Sequence, residues 1–125
     1  MTSPLVVFVV AGERFALPVD AVVEVAARPA GADASMAIRG ETIRLVAAAD
    51  RLRLAGGDRS QVVIVDAGAE RVGVLVDAIV GIVDLPGERR SSAGAYAGAA
   101  VTAFAEDADG LIALLDARQL TGPDA

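Results

Sequence analysis

The chain contains no cysteine, no histidine and no lysine, and only 3% of it is aromatic. Without cysteine there are no disulfides, no thiolate nucleophiles and no cysteine-type zinc sites. Without histidine the commonest general base and the commonest metal ligand are missing, and with them most hydrolase triads. An enzyme built on this chain would have to work with carboxylates, arginine or Tyr96. Neither a Walker-type nor a dinucleotide-type glycine loop is present, so no cofactor is expected. Since lysine is absent, all 11 basic residues are arginine, and the net charge is −6. An acidic surface repels phosphate backbones, which argues against nucleic acid as a partner. Long hydrophobic runs are missing too. The longest apolar stretch, Val72 to Val83, carries Asp77 and falls well short of the ~20 residues that span a bilayer, so direct membrane insertion is not expected. The opening Met1-Thr2-Ser3-Pro4 lacks the basic region of a signal peptide, which points to a cytoplasmic protein.

What the chain does have is a repeat. Glu13-Arg14 answers to Glu70-Arg71, Val19-Asp20-Ala21 to Val76-Asp77-Ala78, and Pro29 to Pro86, all at an offset of 57 (70 − 13). A valine-rich run precedes each copy, Leu5 to Val10 and Val62 to Val65. Two copies at this spacing imply two small, similar folding units. A lone unit of about 60 residues buries only about 60% of its unfolded surface, and packing two together escapes that limit. Hydrophobic residues make up 54% of the chain, mostly Val, Ala, Leu and Ile, a composition that suits strands.

Leu5 to Val10 and Phe15 to Val19 read as a hairpin around Gly12-Glu13, with Pro18 placed where a strand ends. Asp20 then starts a tight turn and Val22 to Ala27 resumes as a strand. The second copy repeats this with Gln61 to Asp66, Arg71 to Val76, a turn at Asp77, and Gly81 to Leu85. Helix competes for 19–27 and 76–83, but both stretches are short, and Gly81 would cost a helix about 1 kcal/mol. Pro29 to Ser35 and Gly87 to Ala95 read as loops. Thr42 to Val46, Ala99 to Phe104 and Leu111 to Leu115 complete the strands, with a hairpin turn over 106–110. Residues 47–54 and 116–120 are expected to form short helices or turns, and the tail from Thr121 to be disordered. About five short strands per half indicate an all-β protein made of two small barrels, within one domain over residues 1–125. The first barrel is expected over 5–55 and the second over 60–120.

Four features invite a chemical reading. Asp20 and Asp77 could face each other across a pseudo-twofold axis, but the residues after them are Ala-Val and Ala-Ile, without the hydroxyl and glycine that hold a carboxylate dyad. Each is expected to cap the turn that follows its strand. Asp107-Ala108-Asp109-Gly110 resembles a fragment of a calcium loop, yet its glycine is fourth instead of sixth, so a solvated hairpin tip is expected and no metal. Arg89-Arg90-Ser91-Ser92 is expected to be an exposed basic cluster. Glu24 and Arg39 interrupt apolar surroundings, and Glu24 matches Gly81 in the other copy, so the fold does not demand an acid there. They stand either on solvated strand faces or beside an apolar groove as recognition charges.

Phe8 to Val19, Val22-Val23-Glu24-Val25, Ile38-Arg39-Gly40, Arg71 to Asp77, Tyr96-Ala97-Gly98 and Leu111 to Asp116, in this order and spacing, resemble the CheW family of chemotaxis coupling proteins. The resemblance implies two tandem SH3-like five-stranded β-barrels packed side by side and a non-enzymatic adaptor. The partners it implies are the cytoplasmic tip of a methyl-accepting chemoreceptor and a CheA-type histidine kinase regulatory domain, or other CheW-like proteins. The valine and glutamate of the family's V-x-E motif fall on Val22 and Glu24, and the arginine of its N-L-R-G motif on Arg39, followed by Gly40. With Ile79, these are the expected partner-binding residues: Val22 and Ile79 as the floor of a groove between barrels, Glu24 and Arg39 as its rim. The chain departs from the family at Ala37, Arg44 and Ala47, and its connector between Glu24 and Arg39 is shorter. It resembles a divergent, shortened member of the FrzB type, and that resemblance implies that receptor binding persists while kinase coupling is weakened or lost.

Overall fold

Residues 2–68, 70–86, 90–92 and 100–122 are described by this computed structural model. The aliphatic runs form β1 (Thr2–Val10), β2 (Glu13–Pro18), β3 (Val22–Ala27), β4 (Ser35–Ile38), β5 (Glu41–Ala47), β6 (Gln61–Asp66), β7 (Arg71–Val76), β8 (Ala78–Pro86), β9 (Arg90–Ser92), β10 (Val101–Asp107) and β11 (Gly110–Leu115). Two single-turn helices, α1 (Ala48–Leu52) and α2 (Ala117–Thr121), follow β5 and β11. Residues 19–21 are a 3-10 turn and 22–27 a strand, so β-branching prevails over the helical alternative there. Arg44, at a departure from the family pattern, does not disturb β5, which pairs with β4 and β7 over its length.

The strands form a six-stranded sheet, β8-β1-β2-β11-β10-β9, and a five-stranded sheet, β3-β6-β7-β5-β4. The sixth strand is β9, which lies in the connector expected to be a loop and pairs with β10 through Ser91 and Ser92. The two sheets do not follow the two halves of the chain, which corrects the division into 5–55 and 60–120. The β1–β2 and β6–β7 hairpins occupy equivalent places in the repeat, and each is built into the sheet of the other half. They are received by equivalent parallel pairings, Phe15 beside Ala113 and Val72 beside Arg44. The physical reason is the marginal core of a lone unit: exchanging hairpins makes the seam between units part of both.

Three hydrophobic clusters result. Leu5, Val7, Ala16, Ala105, Ile112 and Leu114 fill the six-stranded barrel. Met36, Ile43, Leu45, Val62, Ile64 and Leu75 fill the five-stranded one. The third and largest lies between the sheets, with Phe8, Phe15 and Leu17 from one meeting Val63, Val65, Val72 and Val74 from the other. Gly73 is needed inside its barrel, where a Cβ would sit 2.6 Å from Leu45 Cδ2 and 2.9 Å from Val62 Cγ1.

Asp20 and Asp77, though equivalent in sequence, differ in role. Asp20 is exposed, and the 3-10 turn that contains it has no side-chain cap. Asp77 does not cap its own turn either. Its Oδ2 accepts from the Ala11 amide at 2.7 Å and its Oδ1 from the Arg59 amide at 2.9 Å. It thereby joins the β1–β2 turn of one sheet to the segment that leads into β6 of the other. Asp116 does act as a cap, accepting from the Arg118 and Gln119 amides at the start of α2. The expected disorder from Thr121 onward is corrected: Thr121 closes α2, is buried, and donates to the Ala117 carbonyl, while the last three residues lie outside those described.

The β10–β11 tip is tied to the first hairpin by a two-pronged ion pair, Arg14 to Asp107, at 2.9 and 2.7 Å. The Arg14 hydrogen bonds hold the Asp107 carboxyl down at about 2, against a smaller opposing effect of burial. Its pKa is lower folded than unfolded, so the pair stabilises fully above the ordinary carboxylate range and the contribution is lost as pH falls through about 2. An NMR titration should therefore place Asp107 at about 2 in the native protein, and Arg14→Ala should move it up toward the ordinary range. An unchanged midpoint in the variant would show that another group depresses it.

Candidate functional site

Directly opposite residues of an antiparallel pair lie on the same face, so the register of β3 on β6 places its side chains. Val22 stands opposite Val65 and Val25 opposite Val63, both partners in the core between the sheets. Glu24 stands opposite Ile64 and Ala26 opposite Val62, both partners inside the five-stranded barrel. The change of face comes from a bulge at Val23, which has no partner of its own. Val22 and Glu24 therefore look out from opposite faces of one edge strand, where simple alternation would have set them side by side.

The second copy carries the same device. In β8, Ile79 stands opposite Phe8 and Ile82 opposite Val6, on the side of the central core. Gly81 and Val83 face Val7 and Leu5 inside the six-stranded barrel, and Val80 is the bulge. Each edge strand thus presents an aliphatic stripe at equivalent positions, Val22 and Val25 on β3, Ile79 and Ile82 on β8. The inner members, Val22 and Ile79, pack against the central core. The outer members are left in solvent, Val25 at 45% and Ile82 at 69% exposure. The bulge residues Val23 and Val80 are exposed as well.

Glu24 and Arg39 are brought together. Arg39 Nη1 donates to Glu24 Oε1 at 2.7 Å and Nη2 to Oε2 at 3.3 Å. The pair crosses the open side of the five-stranded barrel, from edge strand β3 to the β4–β5 turn, above a cleft of about 150 Å³ lined by Val23, Ile38, Ile43 and Ile64. Arg39 and Gly40 have φ of 50° and 79°, the two left-handed residues of a two-residue hairpin turn. Gly40 is the residue that turn requires. Arginine is not a turn former at the first position, where Asn, Asp or Gly avoids the steric cost. Its presence is accounted for by its side chain, which remains 75% exposed while it holds Glu24.

Of the five residues expected from sequence, Glu24, Arg39 and Gly40 form one group, and Val22 and Ile79 lie round the edge of the sheets on the central side. Sequence reasoning missed Val25 and Ile82. The signal for them was the repeat, which keeps a large aliphatic residue at both places although nothing in either barrel covers it. The Arg89-Arg90 cluster lies largely outside the described residues, and so do Tyr96 to Gly98. Among the described residues no group of three or more acidic side chains could hold a metal ion, and no helix is long and apolar enough to cross a membrane.

Residues 4–122 match the family model of the CheW-like domain. A search of curated proteins finds no match. The fold is that of the crystal structure of the scaffolding protein TtCheW from Thermoanaerobacter tengcongensis, with a TM-score of 0.83 at 21% identity, covering 99% of this chain and 95% of that one. Two SH3-like barrels packed side by side are therefore the architecture.

Proposed function

We propose that this chain, which belongs to the CheW-like domain family, is a non-enzymatic adaptor of a bacterial chemosensory array, working in the cytoplasm. Its first partner is the helical hairpin tip of a methyl-accepting chemoreceptor. The observation that carries this reading is the pair of repeat-related aliphatic stripes on β3 and β8, exposed at their outer ends. Exposed aliphatic side chains clustered on edge strands mark a surface that a partner covers. A helix laid along the seam would bury Val25 and Ile82 over a floor of Val22 and Ile79, the helix-in-groove mode. The Glu24–Arg39 pair, round the edge of β3, forms a charged rim that sets partner choice more than affinity.

Arg39→Ala should weaken receptor-tip binding several-fold while changing stability by less than about 0.5 kcal/mol, since exposed ion pairs contribute little. Calorimetric titration beside a urea melt distinguishes the two. A loss of stability in proportion to the loss of binding would make Arg39 a clasp of the barrel and remove it from the recognition surface.

The second partner is a CheA-type kinase regulatory domain. A narrower reading, an organiser that binds receptors or its own kind and has lost kinase binding, is favoured by one observation. The β3–β4 connection is confined to residues 28–34, and the resemblance to the family implies a longer one in ordinary members. Separate titrations with receptor tip and kinase domain decide between them.

A further inference from the structure

We propose that the cleft at the paired hairpin tips of the six-stranded barrel is a docking site for a basic protein segment that offers a leucine-sized side chain next to arginine or lysine. This site is built from other elements than the β3 and β8 stripes and does not depend on the receptor reading. The β1–β2 and β10–β11 hairpins end side by side, and the Arg14–Asp107 pair locks them together. Between them lies a cleft of about 320 Å³ with Phe15, Phe104, Leu111 and Ala113 in its walls. Parallel pairing of β11 with β2 sets Ala113 beside Phe15, and antiparallel pairing sets Phe104 across from Ala113, so the apolar walls share one face. Leu111 is 62% exposed there, although the next residue of its strand, Ile112, is fully buried.

The rim decides the occupant. Glu13 and Asp109 line the cleft, and Glu106 stands across from Leu111 in register. Among the described lining residues Arg14 is the one cation, and both of its terminal nitrogens are engaged by Asp107. Among the described residues the opening is therefore apolar inside and negative outside. An acidic segment is repelled from it, and a bare cation would leave the apolar walls wet. A leucine inserted between the two hairpins, with an adjacent arginine stem lying over the rim toward Glu13 and Asp109, satisfies both parts.

The test uses the full chain, labelled with nitrogen-15, and two blocked tripeptides, Leu-Arg-Arg and Leu-Glu-Glu. Leu-Arg-Arg should give saturable amide shifts confined to Gly12 to Phe15 and Asp109 to Ala113, and Leu-Glu-Glu should give none. Glu13→Gln with Asp109→Asn should weaken binding about three- to tenfold. Leu111→Ser should weaken it about tenfold or more. These positions are exposed, so the variants stay folded. Equal shifts with both peptides, shifts spread over other surfaces, or no shifts would overturn the proposal. If the same amides move with protein concentration alone, a second copy of the chain fills the cleft and the proposal is wrong.

Discussion

Replacing Asp77 by alanine lowers stability by about 2–3 kcal/mol, whereas the same change at Asp20 costs less than about 0.5 kcal/mol. The two residues are equivalent in the repeat, so only their three-dimensional surroundings distinguish them. Asp77 holds two backbone amides that have no strand partner, Ala11 at 2.7 Å and Arg59 at 2.9 Å. Both residues are non-glycine and left-handed, with φ of 52°, a conformation that persists only when something fixes it. Gly57 packs against the carboxylate so closely that a Cβ would fall 2.2 Å from Oδ2. Hydrogen bonds to a charged acceptor contribute more than neutral ones, and alanine leaves both amides to partial solvent exposure. Asp77→Asn should be intermediate, because one side of the amide can still accept while the other presents N–H to N–H. Urea midpoints of the three variants measure this. Equal losses at Asp77 and Asp20 would mean that the tie carries no energy.

Ile82→Glu combined with Val25→Glu should reduce binding of a chemoreceptor tip by about 30-fold or more, with little change in melting temperature. Both side chains are largely exposed, Ile82 at 69% and Val25 at 45%, so the folded protein gives up little packing when they become charged. In a complex they would be covered, and a carboxylate buried there without a partner is costly. Leu111→Glu is the matched control. It is as exposed as Ile82 but belongs to the hairpin-tip cleft, so receptor binding should be unchanged. Equal weakening by both changes would point to a general charge effect and not to the seam.

Much of the fold was legible because hairpins are local. β6 and β7 begin and end where the valine runs and turn residues place them, and Pro18 falls at the last residue of β2, where its missing amide donor is tolerated. The exchange of hairpins was not legible. Each β1–β2 or β6–β7 hairpin satisfies its own ladder equally well in either barrel, and the choice is made by parallel pairings of Phe15 with Ala113 and Val72 with Arg44, far apart in sequence. The bulges at Val23 and Val80 were hidden for a related reason. A valine at a bulge looks like any strand valine, yet it reverses the face of every later residue, and this separated Val22 from Glu24. Glu24 and Arg39 stood out because both charges broke apolar runs, but their direct pairing was not anticipated, since they are 15 residues apart and join edge strand β3 to the β4–β5 turn. Asp77 was misread because its partners, Ala11 and Arg59, are backbone amides, which leave no trace in residue type.

The adaptor reading stands or falls most directly on a titration of the wild-type protein with an isolated chemoreceptor cytoplasmic tip, run beside the Ile82→Glu/Val25→Glu variant. Saturable binding by the wild type, lost in a variant that melts at the same temperature, is the predicted result. A folded wild-type protein that leaves the tip unbound, or a variant that binds it as well as the wild type, would contradict the assignment of the seam as the receptor site.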